Sequence, residues 1–314
     1  MSLSLKITGD LQTEIGTHSA DLMRQVYSNF DAWNDATIIP GVKNEITLTK
    51  LFINNLIKPW SGTFTPTVDA VEFKPRKLSV KVGKAELKVI PEDYRSTYLA
   101  QFMKPGVART PEDLPFARYI LEDVFAKIGE ELNTVTAYNG VYNGAGTAAV
   151  DVANGWKTEL GTMITGAEVT PTVTGTLTSS DAFTKIKGML DAIPDKYKVP
   201  GLKLKIYLSR ATYNKVLAEI RTFDIMFGKG FEGTRPTWFP DYENIVELKP
   251  VSWMSGSNRV IITPQDNLVI LTDDTVVDLA KINVVQEMWG AQLGIAFAIG
   301  FNFASNMIWC NDVV

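Results

Sequence analysis

The hydrophobic pattern changes period several times along this chain, and each change predicts a different element. In "ADLMRQVYSNFDAWND", Leu22, Val26, Phe30 and Trp33 fall on one helical face. Pro40 and Gly41 end that run, and "ITLTKLFINN" then reads as a short extended or buried piece. Leu78, Val80 and Val82 alternate with Ser79 and Lys81; beyond Gly83 and Lys84, Leu87 and Val89 flank Lys88. That period of two predicts a polar β-hairpin turning at Gly83. Such a hairpin buries little of its own surface and needs support from another element.

Residues 111–138 carry the clearest helical signal. Phe116, Ile120, Val124, Ile128 and Leu132 recur at every fourth position, and Leu121, Phe125 and Val135 widen the stripe. Acidic residues at its start suit the positive end of the helix dipole. At 1.5 Å per residue the spacing predicts a helix roughly 35–40 Å long. It runs into "YNGVYNGAGTAAV", where Gly140, Gly144 and Gly146 crowd a short window. Glycine-rich turns can cradle phosphates, because bare backbone N–H groups approach an anion closely. A nucleotide loop, however, follows a strand and precedes a helix, and here the order is reversed. No Lys-Ser/Thr pair follows the glycines either. The order predicts a chain reversal with positive φ.

Residues 151–180 read as a Thr- and Gly-rich loop, after which Ser180 is expected to cap a helix with Phe183, Ile186, Met189, Leu190 and Ile193 on one face. "LKLKIYLS" alternates as a strand, "ATYNKVLAEI" is a short helix, and residues 223–242 form an aromatic, glycine-rich loop. Further strands fall in "NIVELKPV", "NRVIITPQDNLVILTDD" and "TVVDLAKINVVQEMWG". The last strand is the most regular. Leu293, Ile295, Phe297, Ile299, Phe301 and Phe303 hold the odd positions, with Gly294, Ala296, Ala298, Gly300 and Ala304 on the even ones. The small face is expected to admit a close neighbour, the long helix.

Composition narrows the chemistry. With Lys+Arg 31 against Asp+Glu 35, the 314-residue chain carries a net charge of −4. That argues against tight gripping of nucleic acid through a basic surface, though not against loose enclosure. One cysteine, Cys310, permits no intrachain disulfide, and its place in "MIWC" suits a buried, inert thiol. One histidine, His18, in a polar stretch, leaves most histidine-centred catalysis and most zinc sites without their residues. The motifs of the common hydrolases, zinc proteases, thiol oxidoreductases and P-loop enzymes do not occur. No catalytic, cofactor or metal residues are therefore assigned. The carboxylate pairs Glu122/Asp123 and Glu130/Glu131 suit a solvated helix face, and Asp273/Asp274 suits a turn. The first residues lack the pattern of a signal peptide, and no run of about 18 apolar residues predicts a membrane span.

Two groups look like contact surfaces. The first is the basic set between Lys74 and Lys88, from which Lys77, Lys81 and Lys84 are candidate interface residues. The second is the aromatic loop, with Phe227, Phe231, Trp238 and Phe239 as candidates.

The order of the pieces resembles the major capsid proteins of tailed bacteriophages with the HK97-type fold. The features that carry the resemblance are the long helix followed by "YNGVYNGAGT", the strand and helix of "KIYLSRATYNKVL", and the long final strand. It implies an α+β fold with an N-arm at 1–55, an extended E-loop hairpin at 56–100, a P-domain at 101–150 and 276–314, and an A-domain at 151–275. The P-domain would hold the spine helix and the long strands. It implies no enzyme activity and no cofactor. The implied function is self-assembly, through pentamers and hexamers, into an icosahedral phage or prophage head enclosing double-stranded DNA. Implied partners are other copies, a scaffolding protein, a maturation protease and a portal. The implied location is the virion, with assembly in the host bacterial cytoplasm and no membrane contact. The chain starts close to the arm, so any scaffold is expected to be separate or absent. The rival readings are an encapsulin-type compartment shell and, from another class, a phosphate- or sugar-binding enzyme using the 139–147 glycine loop.

Overall fold

The structure, a computed structural model, describes residues 31–53, 57, 59–60, 62–63, 71–90, 116–199, 201–226, 237–273, 282–286 and 291–313. Leu22, Val26 and Phe30, His18, and the aromatics Phe227 and Phe231 lie outside the described residues. The described chain begins in a short helical turn, α1 (Asp31–Asp35), followed by β1 (Thr37–Ile39). Next come β2 (Glu45–Ile53), β3 (Val71–Ser79) and β4 (Lys81–Val89). The long helix α2 runs from Phe116 to Glu131, continues through a π-turn at Leu132–Thr136, and closes with Ala137–Asn139. Then follow α3 (Trp156–Thr165), α4 (Ala182–Asp191), β5 (Leu204–Ser209) and α5 (Arg210–Met226). The remaining strands are β6 (Val246–Val251), β7 (Ile261–Pro264), β8 (Leu268–Thr272), β9 (Ile282–Gln286), β10 (Ala291–Phe303) and β11 (Trp309–Cys310).

The predicted hairpin at Gly83 does not form. β4 passes straight through Gly83 and pairs with β10 from Lys81↔Ile299 to Val89↔Ala291. The alternation read at Leu78–Val89 is genuine, but it belongs to two different sheets. Gly83 is closely packed: a Cβ there would lie 2.8 Å from the Phe297 ring and 2.7 Å from the Val152 side chain, which would have to shift. β3 pairs instead with β2, antiparallel from Glu45↔Ser79 to Ile53↔Val71. Nine residues at about 3.4 Å each make a ribbon ~30 Å long. Pro75 is tolerated in β3 because the ribbon has an outer edge where no ladder N–H is required.

β10 organises the larger sheet. β4 lies along one of its edges, while β9 and then β8 share the other. β1 adds to β8 in parallel. The bulky odd face of β10 joins Leu121, Phe125 and Leu132 of α2 in the largest core, with Leu293, Ile295, Ile299, Phe301 and Phe303. The small face receives something other than the long helix. At Gly300 a Cβ would meet Ser79 O at 2.3 Å, so it is the root of the ribbon that comes close. Leu78, Val80, Val269, Leu271 and Ala298 form a small core there.

The smaller sheet, ordered β11-β7-β5-β6, makes a second core with α4 and α5. β5 is buried along its whole length, Lys205 and Ser209 included, so the polar positions of its alternation are covered as well. Two helices depart from expectation. α3 arises inside the stretch read as loop, with Trp156, Leu160 and Met163 buried. α5 is longer than expected and carries Phe223 on its last turn, so the aromatic loop starts later than predicted. Ser180 does not cap α4 through its side chain; Asp181 holds the N-cap position. The N–H groups of Phe183 and Thr184 are taken instead by Glu219 of α5, a buried carboxylate, at 2.5 and 3.3 Å. Among the described residues no helix is long and apolar enough to cross a membrane.

Candidate assembly interface

The glycine-rich loop after α2 is built for packing. Gly140, Gly144 and Gly146 all have ordinary φ, which corrects the expected positive-φ reversal. Their role is to let backbone meet backbone: a Cβ on Gly140 would sit 2.2 Å from Ala153 O, and one on Gly155 would sit 2.5 Å from Tyr138 O. The loop also consumes its own donors. Val141 N–H bonds Val150 O, Asn143 N–H bonds Asp151 O, and Gly146 N–H bonds Asn143 O. Tyr142 N–H goes to Asn154 Oδ1, Ala145 N–H to Asn143 Oδ1 and Ala148 N–H to Asp151 Oδ2. N–H groups committed inward cannot converge on a phosphate, so the ligand-loop reading loses its chemical basis.

An open groove of about 840 Å³ runs between this loop, β4 and α2. Its acids are Glu86, Glu131 and Asp151, and its one cation, Lys84, is paired with Glu86 at 2.8 Å. No histidine or cysteine lines it. Among the described residues, no group of three or more metal-ligating side chains occurs anywhere.

The polar and apolar groups of the ribbon are arranged differently. Near its root Leu78 is fully buried, and Arg76 reaches Glu168 beyond α3 at 3.5 Å. Burial pulls the Arg76 guanidinium below its usual pKa, and Glu168 and Glu159 partly restore it. Further out, Phe73 is 66% exposed, and beyond β2 Ile57 and Trp60 are 97% and 94% exposed. Three large apolar side chains exposed on and just beyond the ribbon are a candidate contact surface.

The candidate residues do not gather at one place. Lys77 is exposed and paired with Glu45 across the ribbon at 3.3 Å. Lys81 lies over the Tyr142 ring at 4.6 Å, and Lys84 is held by Glu86. Each lysine thus has an intrachain partner, and none is a free cation. Trp238 is half-buried and bridges to Glu247 beside β6. Phe239 is fully buried, stacked on Phe183 at 4.9 Å, so it belongs to the core of the smaller sheet and not to a contact surface. The reason is local: Phe239 N–H bonds Val246 O, and Leu248 N–H bonds Thr237 O, so this segment extends the sheet as an extra edge. Ile57, Trp60 and Phe73 went unselected because a single aromatic amid Thr, Pro and Lys carries no periodic signal. Their signal was that apolar residues occur at all on an element with no core of its own.

No family model matches this chain, and no curated protein is similar to it. Solved structures are similar in fold. The satellite phage P4 procapsid, a structure that includes the size determination (Sid) protein, superposes with a TM-score of 0.54 at 12% identity. That match covers 93% of this chain and 98% of that one. The chain has the HK97-type capsid fold. The cyanophage A-1(L) capsid gives a TM-score of 0.54 at 13% identity over 88% of this chain and 90% of that chain. The capsid of the native GTA particle gives 0.51 at 10% identity, covering 88% of both chains.

Proposed function

We propose that this chain is a major capsid subunit that assembles with copies of itself into the icosahedral shell of a phage head. The observation that carries the reading is the ribbon: a ~30 Å two-stranded projection bearing the nearly bare Ile57 and Trp60 on a body with the capsid fold. Such a ribbon has no use in an isolated subunit. Lying across a neighbour, it buries its apolar residues and pairs its open edges, and heterologous contacts of this kind close into rings by rotation. The chain acts as a structural protein and not as an enzyme. The shell encloses double-stranded DNA without reading its sequence, which suits a net charge of −4. A scaffolding protein, a maturation protease and a portal are the further partners, with assembly in the host bacterial cytoplasm. The three solved structures named above are phage and GTA capsids, and this favours a phage head over a compartment shell.

Negative-stain electron microscopy, paired with light-scattering mass on the purified chain, tests the reading. Closed shells, tubes or rings of five or six subunits are expected. A strictly monomeric species at high concentration, with and without a scaffolding protein, would sink it.

A further inference from the structure

The π-turn in the long helix has a specific partner. Within Leu132–Thr136 the chain holds one residue more than an α-turn, and Ala137 N–H closes it onto Leu132 O. π-turns are rare and persist where something fixes them. Here Asn133 is 4% exposed, and both ends of its amide are used. Its Oδ1 accepts the N–H of Ala32 at 3.1 Å, and its Nδ2 donates to Ser252 Oγ at 2.9 Å. Ser252 Oγ in turn donates to Asp31 Oδ2 at 2.7 Å. The contact is a closed ring: arm, helix, the 252 turn and back to the arm. Asn133 is about a hundred residues from each of its partners in sequence, yet neither bond is a surface accident.

A second set of contacts holds the same five residues. Asp35 is buried, with Lys249 Nζ 3.1 Å from Oδ1 and the Trp253 indole N–H 3.4 Å from Oδ2. The Asp35 carbonyl accepts the Tyr207 hydroxyl at 3.3 Å. Trp253 packs against Trp156 at 4.7 Å and against Tyr138, just past the π-turn, at 6.0 Å. Both ends of α1 are therefore tied to groups that border the helix turn.

We propose that docking of the arm root, Asp31–Asp35, pins the π-turn of the long helix at Asn133, so that the arm and the helix move as one coupled unit. An amide buried with two partners is satisfied only while the turn presents it to the arm. When the root leaves, Asn133 loses the acceptor role that fixes its place, and the extra residue is free to shift along the helix. Whatever acts on the chain before Asp31 is then felt in the helix.

The test perturbs the arm and reads the helix. Hydrogen exchange is followed by mass spectrometry in the full chain, in Asp31→Ala, and in Asp31→Asn, whose side-chain carbonyl can still accept from Ser252. Asp31→Ala should speed exchange by about tenfold at residues 31–35 and at the amides of 134–137 together. Asp31→Asn should restore both. Ser252→Ala, which breaks the ring outside both elements, should reproduce the paired effect. Unchanged exchange at 134–137 in Asp31→Ala and Ser252→Ala, whatever happens at 31–35, would overturn the coupling.

Discussion

At Gly140 a methyl group would press on Ala153 O at 2.2 Å and on Thr136 O at 2.6 Å, and both are backbone atoms that cannot rotate away. Gly140→Ala should therefore cost about 2–4 kcal/mol, read as a lowered urea midpoint. Gly144→Ala faces only the Tyr142 hydroxyl at 3.2 Å, a movable side chain, and should be close to neutral. If the two variants were equally harmful, close approach would not be the reason for the glycines. Glu219 offers a second test at this scale. Its carboxylate takes Phe183 N–H, Thr184 N–H and the Thr184 hydroxyl, the last at 2.6 Å. Hydrogen bonds to a charged group contribute more than neutral ones, so Glu219→Ala should lose about 2–3 kcal/mol by chemical denaturation. Glu219→Gln, which keeps an acceptor, should lose less. Phe239 teaches what residue identity alone hides. An aromatic amid glycines suggested a contact surface, but a backbone pairing with Val246 turns the ring inward.

Elements were legible where the period was long and unbroken. The long helix α2 and β10 each repeat one rule over many residues, and both stand where the pattern put them. Failures came where a pattern crossed a boundary or was interrupted. The alternation through Leu78–Val89 shifts phase at Gly83, but it is Val80 that hands the chain from the ribbon to the main sheet, and period alone cannot say which strand is the partner. α3 was missed because Gly161 and three threonines mask Trp156, Leu160 and Met163, whose burial decides the matter. The ribbon's exposed apolar residues and the Asn133 junction depend on residues far apart in sequence, so no local reading could assemble them.

The start of α4 carries a pH dependence. Lys185, followed by the Thr178 N–H, draws the Asp181 carboxyl down to about 2. A carboxylate depressed in the folded state stabilises the fold above its unfolded value of about 4, and that contribution is lost as pH falls from about 4 toward 2. Denaturation midpoints of the native chain and of Asp181→Asn should differ at pH 6 and converge near pH 2. A gap that persists at pH 2 would remove this group as the cause. Asp312 works in the same direction. Its carboxylate accepts from the N–H groups of Thr174 and Gly175 and is held below its usual range.

For the whole molecule, folding and assembly should be separable by mutation. Trp60→Asp leaves every described core untouched, since Trp60 is 94% exposed. It should keep the subunit's melting temperature while abolishing shells in the microscope. Phe239→Ala should do the reverse, costing about 3–5 kcal/mol of subunit stability through the cavity it opens. Equal loss of stability in the two variants would show that the ribbon is part of the subunit's own core.

The direct passage of β3 into β4 through Val80 also has a mechanical meaning. A tug along the ribbon draws β4 lengthwise against β10, from Ile299 to Ala291. The load falls on all of those pairings at once, as in shear, and does not peel them apart singly. A shell strained from within would thus pull its subunits at their toughest seam.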